Sequence, residues 1–330
     1  MSKMNTITAK RLGYLTRRSR EKIQDAVEDT IRGWQAVGRQ QAEVVNEKEI
    51  RVLGLRRSGN HAVINWICKQ LPENHVFINH SRIKENPYRN VYRDQLFLAQ
   101  HGDLKGWRCE NIEWWEEEAR GHFSHKDCLV YSYEDQEIQR VAHPAFETRH
   151  NLYLGKSHER IDVIIIRDPF NLLASRLKGN KPREKARNFN LMQVYSHRLN
   201  LPELWIEYAK ECLGETQHLQ NNKIVIKYND WFANAAYRQQ IAGQLGLEFS
   251  DEGFNEVTRA GGIGSSFDGT GFNGQVAKMD VLRRWKQFAD DPRFRALACT
   301  PTLIDYSRKL FGHSPALEPL IEDLQRSWVG

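Results

Sequence analysis

No stretch of this 330-residue chain approaches the roughly 20 consecutive apolar residues that a membrane-spanning helix needs. Residues 1–30 are polar and basic, and they lack the apolar segment of a secretory leader. Cysteine is scarce and scattered: Cys68, Cys109, Cys128, Cys212 and Cys299 form no C-x-x-C pair and no metal-ligand spacing. A disulfide framework and a zinc site are therefore not expected. The expectation is a cytoplasmic protein with reduced thiols, no membrane span and no bound metal. The chain also has no internal repeat and no clear linker. Its basic residues are interleaved with acids rather than gathered in a stripe, which speaks against a nucleic-acid partner.

What is present is ordinary for a globular domain: 40% hydrophobic and 27% charged residues. The net charge of +6 and the isoelectric point near 9.0 favour an anionic ligand. Strand and helix signals alternate from residue 50 onward, which predicts an α/β fold with a mainly parallel central sheet flanked by helices. Before it, over residues 17–46, Ile23, Val27, Ile31, Trp34 and Val37 recur at helical spacing on a charged segment, predicting an N-terminal helix whose apolar face packs on the main domain, with a lipid-surface role for its basic start as the lesser alternative. The division expected is a helical extension over residues 1–48 and a single domain over 49–330. Late in the chain, six glycines between Arg259 and Gln275 predict a loop, and Asp280 is a natural cap for a helix over 281–288.

Two stretches carry chemistry. The first is Arg51–Trp66, an apolar strand, a basic glycine turn and an apolar helix. A glycine turn opening a helix aims backbone N–H groups and the positive helix end at one point, which suits phosphate or sulfate. Arg56 and Arg57 add to that sign. The spacing Gly54-x4-Gly59 invites comparison with the nucleoside-triphosphate loop, but Asn60 and His61 stand where that motif needs Lys and Ser/Thr. The second stretch is Arg160–Arg176. A continuous apolar run reads as a strand covered on both faces, and Arg167 follows at its end, with Asp168 and Pro169 as cap and first residue of a helix. Ser175 lies eight positions after Arg167 and shares a target with it only along the helix flank.

The order of these pieces resembles the sulfotransferases that use 3′-phosphoadenosine 5′-phosphosulfate (PAPS). The resemblance spans residues 50 to 312 and implies a P-loop-like sulfotransferase fold. By matching position, Arg57, Ser58, Gly59, Asn60 and His61 would hold the 5′-phosphosulfate, and Arg167 and Ser175 the 3′-phosphate. Arg259-Ala260-Gly261 looks like a late motif that also contacts the 3′-phosphate, so Arg259 and Gly261 join the implied set. Tyr228-Asn229-Asp230 follows a strand as the family's Tyr-Glu-Asp does, and Leu282–Lys286 is similar to an Arg-Trp segment of bacterial members. The chain departs from the pattern at Arg57, where the family has Lys, at Asn60 and His61, where it has Thr, and at Ala260, another family Lys.

The implied reaction moves a sulfonate to a hydroxyl or amine of a small-molecule or carbohydrate acceptor and releases the 3′,5′-bisphosphate (PAP), without a metal. Arg57 would stabilise charge on the leaving oxygen. Three positions compete for the base: His80 after the second strand, Glu134 (beside Asp135) after the third, and His61 in the loop. The Trp114-Trp115-Glu116-Glu117-Glu118 stretch reads either as a solvated helix with inward aromatics or as an acceptor cap suited to a cationic substrate. A phosphate-loop kinase and a non-catalytic bisphosphonucleotide binder are the alternatives.

Overall fold

The computed structural model describes residues 19–34, 43–79, 81–101, 111–179, 192–257, 264–265 and 267–326. After helix α1 (residues 19–34), the elements are β1 (Val44–Gly54), α2 (Asn60–Cys68), β2 (His75–Ile78), α3 (Pro87–His101), α4 (Ile112–Arg120) and β3 (Lys126–Glu134). The short helices α5 (Ile138–Val141), α6 (Pro144–Glu147) and α7 (His150–Leu154) lead to β4 (Lys156–Ile166) and α8 (Pro169–Gly179). Then come α9 (Leu201–Leu213), β5 (Asn222–Lys227), α10 (Tyr228–Ala233), α11 (Ala235–Gln244), α12 (Pro292–Ala298), α13 (Pro301–Phe311) and α14 (Glu318–Arg326).

The five strands form one parallel sheet in the order β2-β3-β1-β4-β5. The fold is therefore α/β with helices on both faces. Side-chain alternation divides the core in two. Ile50, Val52, Val130, Val163 and Ile226 meet α2, α10 and α11 on one face, whereas Leu53, Leu129, Tyr131, Ile164 and Ile166 meet α8, α9 and the C-terminal helices on the other. The apolar run of β4 contains one charge, Asp162, which the register sets beside Arg51 of β1. Arg51 answers it with two bonds, Nε to Oδ1 at 2.7 Å and Nη2 to Oδ2 at 3.0 Å. A paired charge of this kind is compatible with a buried strand.

Three expectations are corrected. The apolar positions of α1 face outward: Ile23, Val27, Ile31 and Trp34 are exposed, and the helix meets the domain through Asp25, Asp29 and Arg32. The physical reason is that the domain presents Arg89, Arg93 and backbone carbonyls there, which polar side chains satisfy and apolar ones do not. Val37 lies outside the described residues. The sheet begins at Val44, inside the segment assigned to the extension. Of the helix expected over 281–288 only Arg284–Phe288 forms, as one 3-10 stretch, and the sequence pattern did not foretell α14.

The Trp-rich segment is α4, and its aromatics pack inward. Trp114 and Trp115 meet the Tyr88 ring at 6.1 and 6.0 Å between centroids. Glu118 is buried against Lys126 at 2.9 Å, and Glu116 and Glu117 pair with Arg120. Lys126 starts β3, so this cluster sits at the opposite end of the sheet from the ligand edge, and Glu116–Glu118 do not face an acceptor there.

Candidate anion-binding site

Three neighbouring strands end together. The register pairs Gly54 of β1 with Glu134 of β3 and Ile165 of β4, so Leu55, Asp135 and Arg167 leave the sheet on the same edge. In the order β3-β1-β4 the connections lead to opposite sides of β1, the kind of switch point at which open α/β sheets bind ligands in the crevice outside the carboxyl ends of their strands.

The loop after β1 is tightly determined. Ser58 N–H donates to the Leu55 carbonyl at 3.0 Å, and Gly59, with φ 91°, turns the chain into α2. A Cβ on Gly59 would overlap the Tyr228 ring, so both its torsion and its surroundings require glycine. Arg57 is also left-handed, at φ 74°, a conformation that costs a side-chain-bearing residue about 1 kcal/mol or more. Its carbonyl receives Arg167 Nη1 at 3.1 Å, which holds that turn in place.

Arg167 and Ser175 come together as their spacing suggests, with Nη1 donating to Oγ at 3.1 Å along the flank of α8. The guanidinium also donates to the Val281 carbonyl and lies over the Tyr228 ring, 5.2 Å from its centroid. These contacts of a buried cation go to neutral oxygens and a π face. Burial, with Arg284 adding like charge, pushes its pKa down to about 10. Arg167 Nε is buried without a hydrogen-bond partner, as are Ser58 Oγ and Asn60 Oδ1. Asp168 caps α8 as predicted, accepting from Asn171 N–H at 2.8 Å, and Asn229 donates to it at 2.9 Å.

Arg56 has a different place from the one expected. Its side chain turns to Asp135 and the Gln193 carbonyl, and its own N–H donates to Asp135 Oδ1 at 2.9 Å. Arg176 bonds both oxygens of the same carboxylate, at 2.9 Å for Nη1 to Oδ2. Asp135 is fully buried and left-handed at φ 57°. It pins the loop to β3 and α8, so neither it nor Arg56 presents its charge to the crevice. Sequence reading missed Arg176 and the Tyr228 contact with Gly59, because each depends on a partner far away in the chain.

Of the candidate bases, Glu134 sits at the strand end and accepts from Asn60 Nδ2 at 2.8 Å. His61 Nε2 is 3.3 Å from the Asn79 side-chain amide. His80, Arg259 and Gly261 lie outside the described residues. Among the described residues, no group of three His, Cys, Asp or Glu side chains could hold a metal ion, and no helix is long and apolar enough to cross a membrane.

No protein-family model and no curated protein matches the sequence. Among solved structures, the chain is similar to mouse sulfotransferase SULT7A1 complexed with PAP, at 12% identity and a TM-score of 0.41, over 84% of this chain and 89% of that one.

Proposed function

We propose that this chain is a sulfotransferase that binds PAPS and transfers its sulfonate to a hydroxyl or amine of a small-molecule or carbohydrate acceptor. The observation that carries the reading is Arg167: a buried guanidinium, bonded to neutral oxygens, beside a loop whose Ser58 hydroxyl also lacks a partner. An anion in the crevice would neutralise the one and bond the other. Ser58 and the first-turn N–H groups of α2 suit the 5′ group, and Arg167 with Ser175 suits the 3′-phosphate. Bound there, the nucleotide supplies an activated sulfonate.

The protein's own work is placement and charge. Arg57 reaches from the loop towards Gly264, its Nη1 3.5 Å from that carbonyl, and can follow charge developing on the leaving oxygen. As a guanidinium it donates hydrogen bonds there without giving up a proton at neutral pH. Glu134, held by the Asn60 amide, takes the acceptor proton. It is preferred to His61, whose Nε2 faces the Asn79 amide. The kinase alternative needs carboxylate oxygens for magnesium near the loop. Those of Asp135 are taken by Arg56 and Arg176.

Calorimetric titration with PAP and with ATP tests the binding half. PAP binding without ATP binding is expected, and ATP binding alone would overturn the reading in favour of a kinase. Mass spectrometry of acceptor pools incubated with PAPS tests transfer. Glu134→Gln should keep PAP affinity while losing at least about 100-fold in rate; an unchanged rate would remove Glu134 from the base role.

A further inference from the structure

Helix α1 grips the domain with its charged face. Asp25 accepts from Arg93 at 2.9 and 2.6 Å, Asp29 accepts from Arg89 at 3.0 Å and from the Tyr153 hydroxyl at 2.6 Å, and Arg32 donates to the Ala119 carbonyl at 3.1 Å. The opposite side carries Ile23, Val27, Ile31 and Trp34, which are 66%, 54%, 52% and 79% exposed. Steps of four, four and three residues set them in one stripe. Asp25 meets both Arg89 and Arg93 while Asp29 meets Arg89, so α1 runs antiparallel to α3. Leu96 and Phe97, one turn beyond Arg93 and themselves partly exposed, therefore fall near the start of α1. Single exposed apolar residues are ordinary, whereas a continuous stripe ending in tryptophan marks a docking face.

The charge that precedes the stripe identifies what covers it. Residues 1–20 are the exception to the interleaving of basic and acidic residues along the chain: they contain six Lys or Arg and no Asp or Glu, with Met4, Ile7, Leu12 and Leu15 among them. A cationic, acid-free arm feeding an apolar helix face is complementary to an anionic bilayer, which takes apolar side chains at the acyl boundary and cations at the phosphates. A second copy fits less well. Four side chains offer far less than the roughly 800 Å² per partner of a stable interface, and pairing would bring two like-charged arms together.

We propose that α1 docks this protein peripherally on an anionic lipid bilayer, with the Ile23–Trp34 stripe in the headgroup boundary. Flotation of the full-length protein with vesicles tests this. The protein is expected to float with equal parts phosphatidylcholine and phosphatidylglycerol, to stay behind with phosphatidylcholine alone, and to be released by high salt. Ile31→Ser with Trp34→Ser, both exposed sites, should weaken partition at least about tenfold without changing thermal unfolding. Arg17→Gln with Arg18→Gln should weaken it by about fivefold per charge. Failure of the wild type to float with the anionic vesicles would overturn the proposal. So would undiminished flotation of the Ile31/Trp34 variant, which would leave the arm as a general polyanion binder. A solution dimer that this variant converts to monomer would assign the stripe to self-association instead.

Discussion

Replacing Arg167 by methionine removes the guanidinium and keeps much of the side-chain volume. In the unliganded protein two effects oppose each other. The fall of its pKa from 12.5 to about 10 means that burial, net of the neighbouring charges, disfavours the cation by about 3 kcal/mol, which methionine would relieve. Against that, the carbonyls of Arg57 and Val281 lose their donor, at about 1–3 kcal/mol each. The two offset to within a few kcal/mol, so the unliganded Tm should move by no more than about 4 °C. Ligand binding is affected in one direction only. Truncating one side of a buried, hydrogen-bonded charge pair costs about 2–5 kcal/mol, so the affinity for PAP should fall about 30-fold or more. At PAP concentrations near 100 times the wild-type Kd, binding stabilises by about 2.7 kcal/mol, which is roughly 4 °C for a chain of this size. Differential scanning fluorimetry at that concentration should show the shift shrinking to about 1 °C in the variant. A full shift in Arg167→Met would refute the anion role and leave Arg167 as a tie between the loop and Val281.

Three further outcomes follow from the same geometry. Gly59→Ala places a Cβ against the Tyr228 ring at a left-handed residue, so strain and overpacking together should cost about 2–4 kcal/mol, read as a lower denaturant midpoint and weaker PAP binding. Asp135→Asn leaves Arg56 and Arg176 without their buried counter-charge and should destabilise by about 3–5 kcal/mol in urea unfolding; a neutral result would refute the clamp. The third concerns acid stability. Burial alone would raise the Glu49 carboxyl, but His150 at 2.7 Å, Arg160 at 3.2 Å and the Ser157 hydroxyl outweigh it and hold it at about 2. The folded value lies below the unfolded one, so this stabilisation is complete above about pH 4.5 and is lost as pH falls towards 2, by about 3 kcal/mol in all. Urea midpoints measured down that range should flatten in Glu49→Gln.

The β1 loop and the Arg167 turn were legible because each is a local event. A strand that must be apolar, a glycine that must be left-handed and an Asp-Pro helix start leave signals within ten residues. The Arg167–Ser175 meeting was legible for the same reason, since two helical turns fix it. The role of Arg56 was not. Its sign pointed to an anion, but Asp135, 79 positions later, takes its guanidinium. The glutamates of α4 allowed two readings, a solvated helix with inward aromatics or an acceptor cap, and the direction of β3 decides for the first by putting them at the far end of the sheet.

Helix α1 divides the two kinds of information most clearly. The sequence by itself determined that a helix with one apolar and one charged face lies within residues 17–46, because periodicity is a property of the chain. Which face meets the domain was decided only by tertiary structure. That choice depends on whether the receiving surface offers hydrocarbon or, as here, Arg89, Arg93 and open carbonyls. The strand order that sets Gly54, Glu134 and Arg167 on one edge has the same character. It arises from the pairings of Gly54 with Glu134, 80 positions on, and with Ile165, 111 positions on, and no local pattern encodes them.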